Sequence, residues 1–194
     1  MTDINKLPLQ SAKTFVNLDY DNIMSLYDYH PWDHGNNPNI DQITHKILNF
    51  KKDGVQPSRK FSVRMFSSAL RGSIIPLITT NNNICCVVPS HTKDKVSVGM
   101  IEVLNIVYKG FKFTNSDTHL RRVYDVEKAA TGGPRSIQLH LDSITVDEPE
   151  KVKGKTVFLF DDVTSTGASL QACKQLLLEA GAAAVVMIAI GHTR

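Results

Sequence analysis

Along the first half of the chain the apolar residues recur every three or four positions; along the second half they collect in short unbroken runs. Ile40, Ile43, Ile47 and Phe50 share one side of a predicted helix. Asp41 stands near its start, and lysines near its end complement the helix dipole. KDGVQPS then breaks the pattern. A second helix is predicted from about Arg59 to Leu77, with Phe61, Met65, Phe66, Ala69 and Leu70 on one side and Pro76 limiting its end. Before these helices, Tyr20 to Tyr29 suits a short helix or a strand.

Beyond them the pattern becomes an alternation of strands and helices. Ile84 to Val88 is a short buried strand, closed by Pro89 and a polar loop. Met100, Ile101, Leu104, Ile106 and Val107 belong to a helix, and residues 109–136 show no steady period, as expected of a lid or binding loop. LHLDSITV reads as a strand and VFLF as a fully apolar one. ASLQACKQLLLEAG is a helix, with Leu170, Cys173, Leu176 and Leu177 on one face and Gly181 as its stop. AAVVMIAI is a last buried strand. Strand, helix and strand of this kind form a right-handed parallel βαβ unit, so the fold class is α/β.

Composition adds limits rather than direction. With 194 residues, 42% hydrophobic and 21% charged, the chain suits one folded domain, with or without a small appendage. The formal charge of +3 suits an anionic ligand, but the basic residues form no long run of the kind that points to nucleic acid. Cys85, Cys86 and Cys173 have neither the number nor the spacing of a disulfide framework or a zinc site, and free thiols fit a reducing compartment. The polar N-terminus shows no secretory pattern and no apolar run is long enough to span a membrane, so a cytoplasmic location is expected.

The chemistry concentrates in VFLFDDVTSTGAS, Val157 to Ser169. In an open parallel sheet, ligands gather beyond the carboxyl ends of the strands, where Asp161 and Asp162 fall. The following loop enters a helix N-terminus, whose unpaired N–H groups favour a phosphate. Thr164, Ser165, Thr166 and Ser169 add hydroxyls, and Gly167 lets the backbone approach the anion. Paired carboxylates would repel a bare phosphate. They suit a ligand that also offers hydroxyls or brings Mg²⁺, as a sugar 5-phosphate does.

This stretch resembles the PRPP-binding signature of type I phosphoribosyltransferases, although Thr164 stands where the family usually has an aliphatic residue. ICCVVPSHTKDKVSVG resembles the family's pyrophosphate strand and loop. The order of ILNFKKDG, that loop, LRRV and the acidic motif is most similar to the competence-protein-F-like branch, whose usual pattern after LRRV is replaced by YDVEKAATGGPRS. The resemblance implies a parallel-sheet phosphoribosyltransferase core over residues 40–194, with helices on both faces, and a small N-terminal hood over residues 1–39.

It also implies roles. Asp161 and Asp162 would bind the ribose hydroxyls directly or through Mg²⁺, making them both catalytic and metal-binding candidates. Val163, Thr164, Ser165, Thr166, Gly167, Ala168 and Ser169 would form the 5-phosphate site. Ser90, His91, Thr92 and Lys93 would hold pyrophosphate, with Lys93 as its charge partner and a third catalytic candidate, and Arg121 and Arg122 closing over it. Tyr29 and Trp32 are candidates to line an acceptor pocket, and His192 and Arg194 follow the last strand on the ligand side. His30 and His34 have no regularly spaced third ligand and read as a turn-rich surface loop rather than a metal site.

The expected activity is Mg²⁺-dependent transfer of a phosphoribosyl group to or from a nucleobase or related acceptor; the sequence does not give the oligomeric state, although homodimers are common among similar proteins. The alternatives are a catalytically silent regulator that binds PRPP or a nucleotide, and an interaction protein of DNA uptake or bacterial defence with a nucleic-acid or protein partner.

Overall fold

The computed structural model describes residues 12–52, 54, 56–78, 82–108, 119–127 and 136–194. Its centre is a four-stranded parallel sheet. β1 (Ile23–Tyr29), β2 (Asn83–Val87), β5 (Thr156–Thr164) and β6 (Ala184–Thr193) stand in the order β1-β6-β5-β2. A separate antiparallel pair, β3 (Leu120–Arg122) and β4 (Ile144–Val146), lies between β2 and β5 in the chain.

The strands bury both faces by alternation. Cys85, Val87, Phe158, Phe160, Val186 and Ile188 point to one core, while Ile84, Cys86, Val157, Leu159, Val185 and Met187 point to the other. The first core is closed by α1 (Gln42–Phe50), α2 (Pro57–Ser73) and α3 (Val98–Tyr108). The second is closed by α6 (Ala168–Glu179), with Leu120 of β3, Ile144 of β4 and Val152 of the short α5 (Pro149–Val152). Each fully buried large apolar side chain contributes about 1.5–3 kcal/mol, which explains why these runs admit almost no polar residue.

Local signals set several boundaries. The Asp41 carboxylate accepts from Thr44 N at 2.7 Å and starts α1, and Pro57 occupies the first turn of α2. A 3₁₀ turn, Ile75–Leu77, follows α2 where one longer helix was expected, with Pro76 inside it. LHLDSITV, expected as a strand, is mostly helical: α4 spans Ile137–Ser143 and only Ile144–Val146 is extended. The Ser136 hydroxyl accepts from Leu139 N, and Gln138 donates to Asp142 one turn on, so capping and side-chain pairing override the apolar alternation.

Residues 1–39 were expected as a hood apart from the core. Residues 23–29 instead form the edge strand β1, paired with β6 from Ile23↔Met187 to Tyr29↔Thr193. Within the irregular stretch 109–136, β3 and its flanks are ordered against β4; residues 109–118 and 128–135 lie outside the described residues. No helix among the described residues is long and apolar enough to cross a membrane. All three cysteines are buried and unbridged, and burial pushes the Cys86 thiol up to about 12 and the Cys173 thiol up as well, so neither of these two is a ready thiolate.

Candidate functional site

The carboxyl ends of the four strands meet at one edge of the sheet. β2 ends its pairing with β5 at Val87↔Phe160, and Val88 N donates to Phe160 O at 2.9 Å. Asp161 is therefore the first residue of β5 past its β2 neighbour. On its other side β5 stays paired with β6 through Asp161↔Ala189, Val163↔Gly191 and Thr164↔His192. Both aspartates thus sit on a strand held on one side and open on the other. Val163 and Thr164, expected in the phosphate loop, are residues of β5; Thr164 is buried and its hydroxyl has no hydrogen-bond partner.

The two carboxylates are fixed by the backbone that follows them. Asp161 Oδ1 accepts from Asp162 N at 2.8 Å and Asp162 Oδ1 from Val163 N at 2.6 Å. Ser169, in the first turn of α6, donates its hydroxyl to Asp161 Oδ2 at 3.3 Å. Burial and the neighbouring Asp162 charge push Asp161 up to about 7, against the opposing pull of Lys51. A carboxyl with that affinity for its proton gives the site an acid–base group near neutrality.

Lys51 is the residue the sequence reading passed over. It caps the C-terminus of α1, where a lysine complements the helix dipole, yet its Nζ lies 3.1 Å from Asp162 Oδ1. Burial alone would push Lys51 down, but the Asp162 and Asp161 charges outweigh it and its pKa stands above the ordinary lysine value. The usable signal was the FKK segment in ILNFKKDG, which places a lysine one residue past the buried Phe50.

The loop after Thr164 turns sharply into α6. Gly167 is the helix cap with φ of 80°, and a Cβ there would come within 2.5 Å of Ile23 Cδ1. Only glycine takes this backbone without strain. Ser165 Oγ is 2.9 Å from Thr193 Oγ1, and His192 Nε2 is 3.2 Å from Ser165 O, so the end of β6 braces the loop. The first N–H of α6, on Ala168, donates to the Thr166 hydroxyl at 3.4 Å, and the N–H groups of a helix's first turn have no intrahelical acceptor, which suits this end to an anion. Arg194 turns away from it, to Asp28 at 3.0 Å.

The loop after β2 stands next to Asp161 and is built as a tight bend. Pro89 and Val96 form a bridge, Ser90 N donates to Lys95 O, and Asp94 takes a left-handed φ of 56°. His91 and Thr92 are half-buried, with the Thr92 hydroxyl 3.2 Å from His91 Nε2. Lys93 is exposed, its backbone N–H tied to the Asp125 carboxylate at 2.6 Å. Arg122 lies beneath the loop, only 1% exposed, and donates to Ser90 O and the Ser143 hydroxyl. Its remaining contact is His140 Nδ1 at 3.3 Å. Burial and the Arg122 charge keep the His140 pKa below the usual histidine value, so the ring accepts at Nδ1 and carries its proton on Nε2. Arg122 therefore shapes the loop from within, whereas Arg121 points outward, to Asp147 at 2.7 Å and Asp94 at 3.7 Å.

Among the described residues no group of three or more His, Cys, Asp or Glu side chains converges on a point that would hold a metal by protein ligands alone. Asp161 turns to Ser169 of α6 and Asp162 to Lys51 at the end of α1, so a Mg²⁺ arriving on a phosphorylated substrate would take a single carboxylate from one face and complete its shell with water and phosphate oxygens.

Comparison of the chain with protein-family models and with curated proteins gives no match.

Proposed function

We propose that the protein is a phosphoribosyltransferase of the type I architecture, acting on PRPP with Mg²⁺. The observation that carries this reading is the adjacency, on one strand and its turn, of the Asp161–Asp162 pair and the glycine-capped N-terminus of α6. One ligand with vicinal hydroxyls and a phosphate a few ångströms away uses both halves; a bare anion or a bare cation uses only one. The neighbouring 90–95 loop adds the exposed Lys93 on the side where pyrophosphate would leave, while the N–H groups of Ser90, Thr92, Lys93, Asp94 and Lys95 are spent on holding the bend.

In the transfer, a nitrogen of the acceptor bonds to C1 of the ribose as the bond from C1 to the pyrophosphate oxygen breaks. The electron pair departs with pyrophosphate, and the acceptor's N–H proton goes to solvent. Asp161 and Asp162 orient the ribose through its hydroxyls and oppose the positive charge that develops on the ring. Lys93 offsets negative charge on the leaving group, and Mg²⁺, when bound, supplies further neutralisation there.

Incubation with PRPP, Mg²⁺ and a panel of nucleobases and related ring acceptors tests the reading by release of pyrophosphate. Release that disappears in the Asp161→Asn/Asp162→Asn double variant is the expected result. Failure of PRPP to raise the thermal midpoint and of every acceptor to give pyrophosphate would sink it.

A further inference from the structure

A shallow, solvent-open cavity of about 490 Å³ is lined by Trp32, His45, Leu48, Asn49, Lys51 and Lys52 and reaches the carboxylate pair through Lys51. Lys51 is common to the cavity and the Asp162 ion pair, so the two spaces share one wall. The cavity's volume is that of a one- or two-ring ligand with its immediate solvent. Most of its lining surface is apolar, with two lysines and a histidine among the lining residues. One wall is an indole, half-exposed and edge-on to His45 with ring centroids 6.0 Å apart. Lys51 and Lys52 also line the cavity, Lys51 Nζ engaged by Asp162 at 3.1 Å and Lys52 Nζ donating to Asn49 Oδ1 at 3.0 Å, and among the described residues no carboxylate lines it.

The indole is also held at some conformational cost. Asp33 and His34, immediately after Trp32, both take left-handed φ values, 38° and 50°. Gly35 follows with φ of 86°, and a Cβ there would sit 3.6 Å from the indole. Two successive non-glycine residues in that region are unusual, and such strain gathers where a segment must present a side chain in one place. The turn follows directly from the carboxyl end of β1, so Trp32 belongs to the same edge of the sheet as Asp161 and Asp162.

We infer that this cavity is the acceptor subsite and that it selects a planar ring bearing a negative charge, stacked on Trp32 and bound through Lys51 and Lys52. The inference rests on the phosphoribosyl reading for the word acceptor, but the preference for an anionic ring follows from the lining alone. It also gives Lys51 a second task. While the sugar site is empty, Lys51 is engaged by Asp162. Ribose hydroxyls that donate to Asp162 take over part of that engagement and leave the ammonium free to turn to the ring's anion. Occupation of the sugar site thereby tightens the ring's binding, and the two substrates bind with positive coupling.

Trp32 is the sole tryptophan of the chain, so its emission reports this cavity directly. The full-length protein is titrated with two matched pairs of probes, nicotinate with nicotinamide and orotate with uracil, with and without ribose 5-phosphate. An anionic member is expected to shift Trp32 emission at roughly tenfold lower concentration than its neutral partner, the difference one charge-assisted contact supplies. Lys51→Gln and, separately, the exposed Lys52→Gln should each reduce that preference, and ribose 5-phosphate should tighten the anionic probe in the unsubstituted protein and not in Lys51→Gln. Equal affinity within both pairs, or no response of Trp32 to any probe, overturns the inference. The two readings fail separately. PRPP binding without any ring response removes the subsite and leaves the sugar site standing; ring binding with the charge preference but without PRPP binding keeps the anionic subsite and removes the transferase.

Discussion

Lys51 Nζ and Asp162 Oδ1 stand 3.1 Å apart, joining the end of α1 to the end of β5 across the candidate site. The lysine side chain is 40% exposed and the aspartate 17%, so solvent screens much of the attraction. Lys51→Gln is therefore expected to lower unfolding free energy by only about 0.5–1 kcal/mol, and a double-mutant cycle with Asp162→Asn to return a coupling of similar size. Urea denaturation measures both. A coupling indistinguishable from zero would mean that the pair adds nothing to stability.

Asp161 gives the protein a pH signature. Its carboxyl is held at about 7 in the folded chain, by burial and the adjacent Asp162, against an ordinary value of 3.8. Between those values the folded state keeps a proton that the unfolded state has released, so this group's contribution falls as pH rises from about 4 to about 7 and is flat on either side. The loss across that window is on the order of 2 kcal/mol, after discounting for solvent relaxation around a half-buried group. Asp161→Asn should flatten the profile of thermal midpoint against pH across that window. The unsubstituted protein should also release a proton when a ligand's hydroxyls bond to the ionised form, which calorimetry in buffers of different ionisation enthalpy detects. An unchanged pH profile in the variant would show that Asp161 titrates as an ordinary carboxylate.

The strands and their direction were legible because a strand buried on both faces leaves a nearly unbroken apolar run, as in VFLF and AAVVMIAI. The acidic pair and its glycine turn were legible for a related reason: local chain geometry dictates Gly167, and adjacent residues stay adjacent in the fold. β1 was harder to read. IMSLYDY has four buried residues, but its partner β6 lies some 160 positions away in the chain, and nothing local distinguishes a short strand from a helix there. Lys51 was obscured because a lysine at a helix end already has an adequate explanation in the helix dipole. Arg122 was obscured by its neighbour: LRR offers two arginines, and only the alternation of β3 against β4 sends one inward and the other to solvent.

Arg122 should matter to the 90–95 loop without touching a ligand. Its guanidinium is buried and donates to Ser90 O, the Ser143 hydroxyl and His140. Arg122→Met removes those donors and leaves buried acceptors unmet, at a cost of about 2–4 kcal/mol. Arg122→Lys is expected to recover only part of it, because one ammonium cannot reproduce the fork of a guanidinium. Hydrogen exchange should show the amides of Ser90, Asp94 and Lys95 losing protection in the Met variant. Stability within about 0.5 kcal/mol of the unsubstituted protein would remove Arg122 from this role.

Thr164 offers the opposite sign. It ends β5 opposite His192, is 3% exposed, and its hydroxyl finds no partner. A buried hydroxyl without a hydrogen bond is a standing cost, and valine has nearly the same shape with a methyl in place of the oxygen. Thr164→Val keeps the β-branching that suits a strand and is expected to stabilise the fold by about 1 kcal/mol. Since the side chain is buried beneath the turn, ribose 5-phosphate affinity should be unchanged while the thermal midpoint rises by a few degrees. A variant that is less stable would reveal that the hydroxyl is satisfied by an internal water; one that is more stable but binds ribose 5-phosphate poorly would reveal that the hydroxyl turns toward the ligand and belongs to the phosphate site.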